Sequence, residues 1–219
     1  WLKDFKKVKN LKNLKIAVAG SAMGWEVSAL LELGVPKKNM TVINESGFSK
    51  LWENVGIKYI NKPSKEVKNM DFDLIVGNPT YQDGSKNGGQ NKIYNQFSKN
   101  AIDITNRYVS FITPISVCRK SKRFSIVGQS GLKYVDFTAD DHFKVGIDVC
   151  HWFVDKRYTG DVTVKCSDGS IHKVKSGKEI YDLSKIDKQI LKVYEGVMNH
   201  TVSLNKSDNR MFIRNNHGP

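Results

Sequence analysis

The chain has 219 residues, 39% hydrophobic and 10% aromatic, and its 35 Lys and Arg against 22 Asp and Glu give a net charge of +13. That length suits one sizeable α/β core with a small appendage, and the charge favours a polyanionic partner, although a Lys-rich solvated surface gives the same number. No apolar run approaches a membrane span and no signal-peptide pattern is seen, so the reading is a cytoplasmic protein; Cys118, Cys150 and Cys166 lack a C-x-x-C and the five histidines lack ligand spacing, so neither a disulfide framework nor a metal is expected.

In chain order, residues 15–19 are a short apolar strand. Residues 24–33 read as a helix with Val27, Leu30 and Leu31 on one face, stopped by Gly34 and Pro36. Strands follow at 40–45, 56–61 and 72–77. Residues 82–92 are a polar, glycine-rich loop. A helix is expected over 93–106, with Ile93, Phe97, Ala101 and Ile104 on one face, then strands at 108–113, 132–137 and 147–154. Strands alternating with helices, the early ones uniformly apolar, predict a doubly wound, mostly parallel sheet with helices on both faces. Such sheets bind ligands at the carboxyl ends of their strands. After residue 158 the pattern changes to a hairpin at 162–174 turning at Asp168-Gly169, a helix at 184–198 with Ser184 as N-cap, and a tail from 200 without strong pattern. The expected division is 1–160 for the main domain and 161–219 for the appendage.

Three places carry candidate chemistry. The turn after the first strand, Gly20-Ser21-Ala22-Met23-Gly24, lets a ligand approach the backbone and a helix N-terminus, although it is not G-x-G-x-x-G. Glu45 ends the second strand about 20 residues later, where an acidic side chain meets a ribose in nucleoside-binding α/β folds. Asn61, ending the third strand, is a candidate for contacts to an adenine ring, and equally a plain turn residue before Lys62-Pro63. Asn78-Pro79-Thr80-Tyr81 ends the fourth strand and faces the same edge. The Asn78 side-chain oxygen and the Pro79 carbonyl offer two acceptors, and the Tyr81 ring a stacking surface. Two acceptors on one exocyclic amine favour a pyramidal nitrogen with its lone pair free for an electrophile. A Pro-containing turn explains Asn78 and Pro79 as well, but not Tyr81.

These residues resemble the S-adenosylmethionine-dependent adenine-specific (amino-group) DNA methyltransferases of restriction-modification type, whose signature is Asn/Asp-Pro-Pro-Tyr/Phe at the end of the fourth strand. The resemblance runs from about residue 14 to about 165 and is most specific in "DLIVGNPTYQ" (73–82). "KIYNQFSKNAIDI" (92–104), "YVSFITP" (108–114) and "FKVGIDVCHWFVDKRYTGDVTV" (143–164) extend it. It implies a Rossmann-like class I methyltransferase fold with a seven-stranded sheet. It places Gly20, Ser21 and Gly24 on S-adenosylmethionine, Glu45 on its ribose, and Asn78, Pro79 and Tyr81 at the reacting amine. The chain departs from the pattern at Thr80, where the second proline stands, at Ala22, commonly Gly, and at Val18 or Ala19, where an acidic residue is frequent. The implied partner is DNA with its target adenine flipped out. RNA adenine methylation, 4-methylcytosine formation, protein glutamine methylation and an inactive nucleic-acid-binding module remain alternatives. The loop 82–92 could close over the base, and "CRKSKR" (118–123) could hold phosphates.

Overall fold

Ile16–Ala19 buries all four of its residues, as a strand covered on both faces must. This strand, β1, lies at the heart of a computed structural model that describes residues 8, 10–20, 24–44, 49–61, 71–79, 93–122, 124–142 and 146–186. The further strands are β2 (Met40–Ile43), β3 (Lys58–Ile60), β4 (Phe72–Gly77), β5 (Thr105–Pro114), β6 (Leu132–Asp136), β7 (Val149–Asp155), β8 (Val162–Lys165) and β9 (Ile171–Val174). The helices are α1 (Trp25–Glu32), α2 (Ser49–Asn54) and α3 (Ile93–Ile104). The strands form one mixed sheet in the order β3-β2-β1-β4-β5-β7-β6-β8-β9. β1 to β5 pair in parallel, β7 lies antiparallel between β5 and β6, and β8 runs parallel to β6.

The two faces of the sheet separate by strand alternation. Ile16, Val18, Leu74 and Val76 point to one face, where they pack with Val27 and Leu30 of α1 and Trp52 of α2. Ala17, Ala19, Ile75, Val109 and Phe111 point to the other, with Tyr94 and Ala101 of α3. Trp152 of β7 is wholly buried there, edge-on to Phe111, and its indole N–H donates to Thr113 Oγ1 at 3.0 Å. A buried indole so satisfied costs nothing in unmet hydrogen bonds.

The sheet has nine strands where the family pattern implies seven. The extra pair is the 162–174 hairpin, which joins the sheet because Val162 and Val164 need cover and β6 offers an unpaired edge. α2 has no counterpart among the expected elements; six residues are too few for a helical period to show. Leu31 is exposed rather than facing the core with Val27 and Leu30. α3 stops at Ile104, and β5 begins at once, anchored by the buried Thr105 hydroxyl on the Phe72 carbonyl at 3.2 Å. The chain divides into two compact units, Trp1–Asp182 and Leu183–Pro219. Of the helix expected over 184–198, a 3-10 turn at Leu183–Lys185 is described, and the rest lies outside the described residues. No helix among the described residues is long and apolar enough to cross a membrane.

His151 of β7 is buried with Nε2 2.8 Å from Ser110 Oγ, and burial pushes its pKa down to about 3, against the pull of the Asp136 charge. It stays neutral in the fold but protonates near 6.5 when unfolded. Folded stability therefore rises with pH between about 3 and 6.5, levels above, and is lost as pH falls through that window. The expected slope is up to ~1.4 kcal/mol per pH unit. Urea unfolding from pH 4.5 to 7 should show a shallower pH dependence in His151→Gln than in the parent; equal slopes would remove His151 as the cause.

Candidate active site

The ends of the first four strands fall in register. Ala19 pairs with Ile43 and with Gly77, and Ile43 with Ile60. The residues that follow, Gly20, Asn44, Asn61 and Asn78, therefore stand in one row along the carboxyl edge. β1 lies between β2 and β4, so the chain leaves it in one direction and returns on the other side. Gly20 and Asn78 flank this switch in strand order, the place where doubly wound sheets leave a crevice.

Glycine brings these two residues together. Gly20 has φ of +73°, and a Cβ there would lie 3.1 Å from Pro79 Cα and 3.6 Å from the Asn78 carbonyl oxygen. Its N–H donates to the Ile43 carbonyl at 3.2 Å, tying the turn to β2. Gly77, one residue before the motif, is more constrained still: a Cβ would lie 2.1 Å from the Ala19 carbonyl oxygen. The turn after β1 and the Asn78-Pro79 step thus pack backbone against backbone, with Pro79 buried and Asn78 half-buried. Gly24 serves differently. It caps α1 with φ of +75°, and a Cβ would lie 2.6 Å from the Trp52 ring, so its bareness admits that indole.

Asn44 was not singled out by the sequence. Its N–H donates to the Ile60 carbonyl at 3.2 Å and its own carbonyl accepts from the Tyr59 hydroxyl at 2.8 Å. These bonds keep β2 and β3 together one residue past their ends. Its only signal was adjacency to Glu45. Asn61 is exposed at the end of the edge strand β3. On the other flank, buried Tyr94 at the start of α3 shares a hydrogen bond of 2.7 Å with Ser116, in the 3-10 turn Ile115–Cys118 that follows β5. The structure therefore brings Gly20, Asn78, Pro79 and Asn61 to one edge and gives Gly24 a packing partner. Ser21, Glu45, Thr80, Tyr81 and the loop 82–92 lie outside the described residues.

The basic run 118–123 is partly committed to structure. The Arg119 guanidinium lies 3.7 Å over the Tyr181 ring and donates to the Ile180 carbonyl, and the Lys120 N–H donates to Glu179 Oε1 at 2.7 Å. Cys118 is wholly buried with Sγ 3.6 Å from that of Cys150. Their hydrogen bond, then burial, holds the Cys150 thiol well above its ordinary pKa.

The fold recurs among solved structures. A class I S-adenosylmethionine-dependent methyltransferase from Listeria monocytogenes, putative by its own description, matches with a TM-score of 0.57 at 12% identity, over 73% of this chain and 60% of that one. A chain from a study of complex assembly in a type I restriction-modification system matches with a TM-score of 0.54 at 14% identity, over 88% of this chain and 48% of that one. A Thermoplasma acidophilum protein matches with a TM-score of 0.51 at 13% identity, over 72% and 87%. The chain thus spans about 60% of the length of the Listeria protein and about half that of the restriction-modification chain. Among proteins of curated function, none matches significantly. The architecture is that of the class I S-adenosylmethionine-dependent methyltransferases, as expected from the sequence. The model of the Eco57I restriction-modification methylases matches residues 27–143, a stretch that includes Asn78-Pro79-Thr80-Tyr81 and begins just beyond the Gly20–Gly24 turn. With more than half of its length matched and the motif at the tip of β4, the chain belongs to the Eco57I restriction-modification methylase family.

Proposed function

We propose that the chain transfers the methyl group of S-adenosylmethionine to the exocyclic amine of adenine in DNA, making 6-methyladenine. The observation that carries this reading is the contact of the Gly20 turn with Asn78-Pro79 at the switch point of the sheet. It sets the edge suited to a nucleoside cofactor beside the edge suited to an amine. The residues fit the cofactor in one testable respect: Gly20 carries no side chain where a Cβ would crowd Pro79, so the backbone at the crevice stays bare.

When bound, S-adenosylmethionine supplies an electrophilic methyl on a sulfonium. Gly20, Ser21 and Gly24 would hold it along the turn, Glu45 would take the ribose hydroxyls, and Asn61 would meet the adenine. Asn78 and the Pro79 carbonyl accept the two amine hydrogens, which turns the nitrogen lone pair toward the methyl. Tyr81 stacks on the target base once it has left the duplex. The cofactor would supply the methyl and keep the sulfur as a neutral thioether, and the amine proton would pass to water. Catalysis on this account is positioning and aimed dipoles, with no covalent enzyme intermediate.

Incubation with methyl-labelled cofactor and, separately, DNA, RNA and protein tests the proposal. Label recovered as 6-methyladenine in DNA is the expected result. Label confined to RNA, to cytosine or to glutamine overturns the substrate; no label in any, with no heat of cofactor binding, overturns the enzyme. A second prediction concerns Glu45→Ala, which should weaken cofactor binding by about 1–3 kcal/mol as its charge-assisted hydrogen bonds are removed. Unchanged affinity by calorimetry would take Glu45 out of the site.

A further inference from the structure

The crossover from β5 to β6 is unusual. The two strands are parallel, with β7 between them, and a crossover of this kind usually carries a helix. Here, among the described residues, it carries the 3-10 turn Ile115–Cys118 and then only turns to Leu132. The space beside α3 is left as an open groove of about 430 Å³, lined in part by Lys99, Asp103, Lys120, Ser121, Ser125 and Gln129.

The groove is framed by hydrogen bonds, and apolar Ile102, Phe124 and Val127 line it beside the polar residues. The Ser125 hydroxyl donates to the Val117 carbonyl at 3.2 Å and accepts the Val127 N–H at 3.1 Å, while Gln129 Nε2 donates to the Ser125 carbonyl at 3.1 Å. Lys99 and Lys120 are both exposed and neither is in an ion pair among the described residues, while Glu179, whose carboxylate accepts the Lys120 N–H, lies close enough to feel the Lys120 charge. Gly128, on the rim, faces open space. Lys120 lies six residues beyond Pro114 at the carboxyl edge, a reach of at most ~20 Å of chain. Asp103 lies at the opposite end, next to the start of β5 at the amino edge and near the Lys156 ammonium. Lys120 thus lies on the chain that leaves the carboxyl edge, with Lys99 one helical turn from Asp103 along α3.

We propose that this groove is a second contact for nucleic acid, in which Lys99 and Lys120 seat phosphates of the strand flanking the reacting base. The proposal rests on the nucleic-acid reading given above and adds a place to it. Arg119, committed to Tyr181 and Ile180, is not part of it.

The test is the salt dependence of binding to a fluorescein-labelled 20-nucleotide single strand and the corresponding duplex, for the full chain and for Lys99→Gln/Lys120→Gln. Removing one lysine–phosphate pairing lowers the slope of log K against log salt by about 1, so the double variant should have a slope smaller by about 2 and bind roughly 10–100-fold more weakly at low salt. Its cofactor affinity should be unchanged, which shows that it is folded. The control is Lys37→Gln/Lys38→Gln, which removes the same charge from the exposed 3-10 turn before β2, at the amino edge. Equal weakening in both variants, or none in the groove variant, overturns the groove while leaving methylation of DNA by the parent intact. If the parent neither binds these oligonucleotides with a salt slope nor methylates them, the nucleic-acid reading itself falls and takes the groove with it.

Discussion

Asn78→Ala is expected to lower kcat by about 10²-fold or more while leaving oligonucleotide binding nearly unchanged. Timing along the reaction sets this division. An acceptor on the exocyclic amine gains most when that nitrogen leaves the plane of the ring, so the Asn78 oxygen acts on the transition state more than on the bound base. Its backbone cannot drift to compensate, because Gly77 pairs with Ala19 behind it and Pro79 packs on Gly20 ahead of it. Asn78→Asp keeps an acceptor and should retain more activity than Asn78→Ala. Tyr81 supplies the contrast within the same experiment: Tyr81→Phe keeps the ring and should be mild, whereas Tyr81→Ala should cost about 1–3 kcal/mol in holding the unpaired base. Single-turnover methylation, alongside binding to DNA with an unpaired adenine, separates the two roles. A parental rate in Asn78→Ala would reduce the motif to a turn and remove the amine-methylation reading.

The left half of this sheet is legible in the sequence because burial on both faces forces uniformly apolar strands. Residues 16–19, 40–43 and 72–77 could hardly be anything else, and the Gly-Asn-Pro step closing the last of them marks its end. The right half is legible as strands but not as partners. Nothing in residues 149–155 says that they insert antiparallel between β5 and β6, since alternation fixes which face a side chain takes and not which neighbour its strand chooses. The same limit hides the hairpin's place in the sheet. It hides the fate of Arg119 as well, whose partner Ile180 lies 61 residues along the chain. A cation run is readable as charge, but which of its members is already spent is a tertiary fact. Gly20 reads from the sequence as a bare turn for a ligand; that its bareness also admits Pro79 follows only once β1 and β4 are neighbours.

Gly77 makes that neighbour relation testable, and Gly77→Ala is expected to be strongly destabilising. Its backbone does not demand glycine by φ; what excludes a side chain is the Ala19 carbonyl oxygen, 2.1 Å from where a Cβ would sit, with the Phe111 ring at 3.4 Å on another side. Ordinary carbon–oxygen contact begins near about 3.3 Å, so β1 and β4 would have to separate by about 1 Å. The obstacle is backbone in the centre of the sheet, not a side chain that can rotate away. Overpacking of this kind costs about 1–3 kcal/mol, and the upper end applies where strands must part. For a chain of this size that is a fall in Tm of roughly 6–12 °C. The activity should fall further than the stability. Ala19 and Gly77 are the last paired residues before Gly20 and Asn78, so parting them opens the contact between Gly20 and Pro79 at the crevice. Assayed well below its Tm, the variant should show a kcat at least about 10-fold lower, since misplacement by about 1 Å is enough for an effect of that order or more. Gly128→Ala is the control for stability: a Cβ there meets nothing within 4 Å, and Tm should stay at the parental value. A Gly77→Ala protein that melts and turns over like the parent would mean that β1 and β4 are not packed as closely as the contact between Gly20 and Pro79 requires.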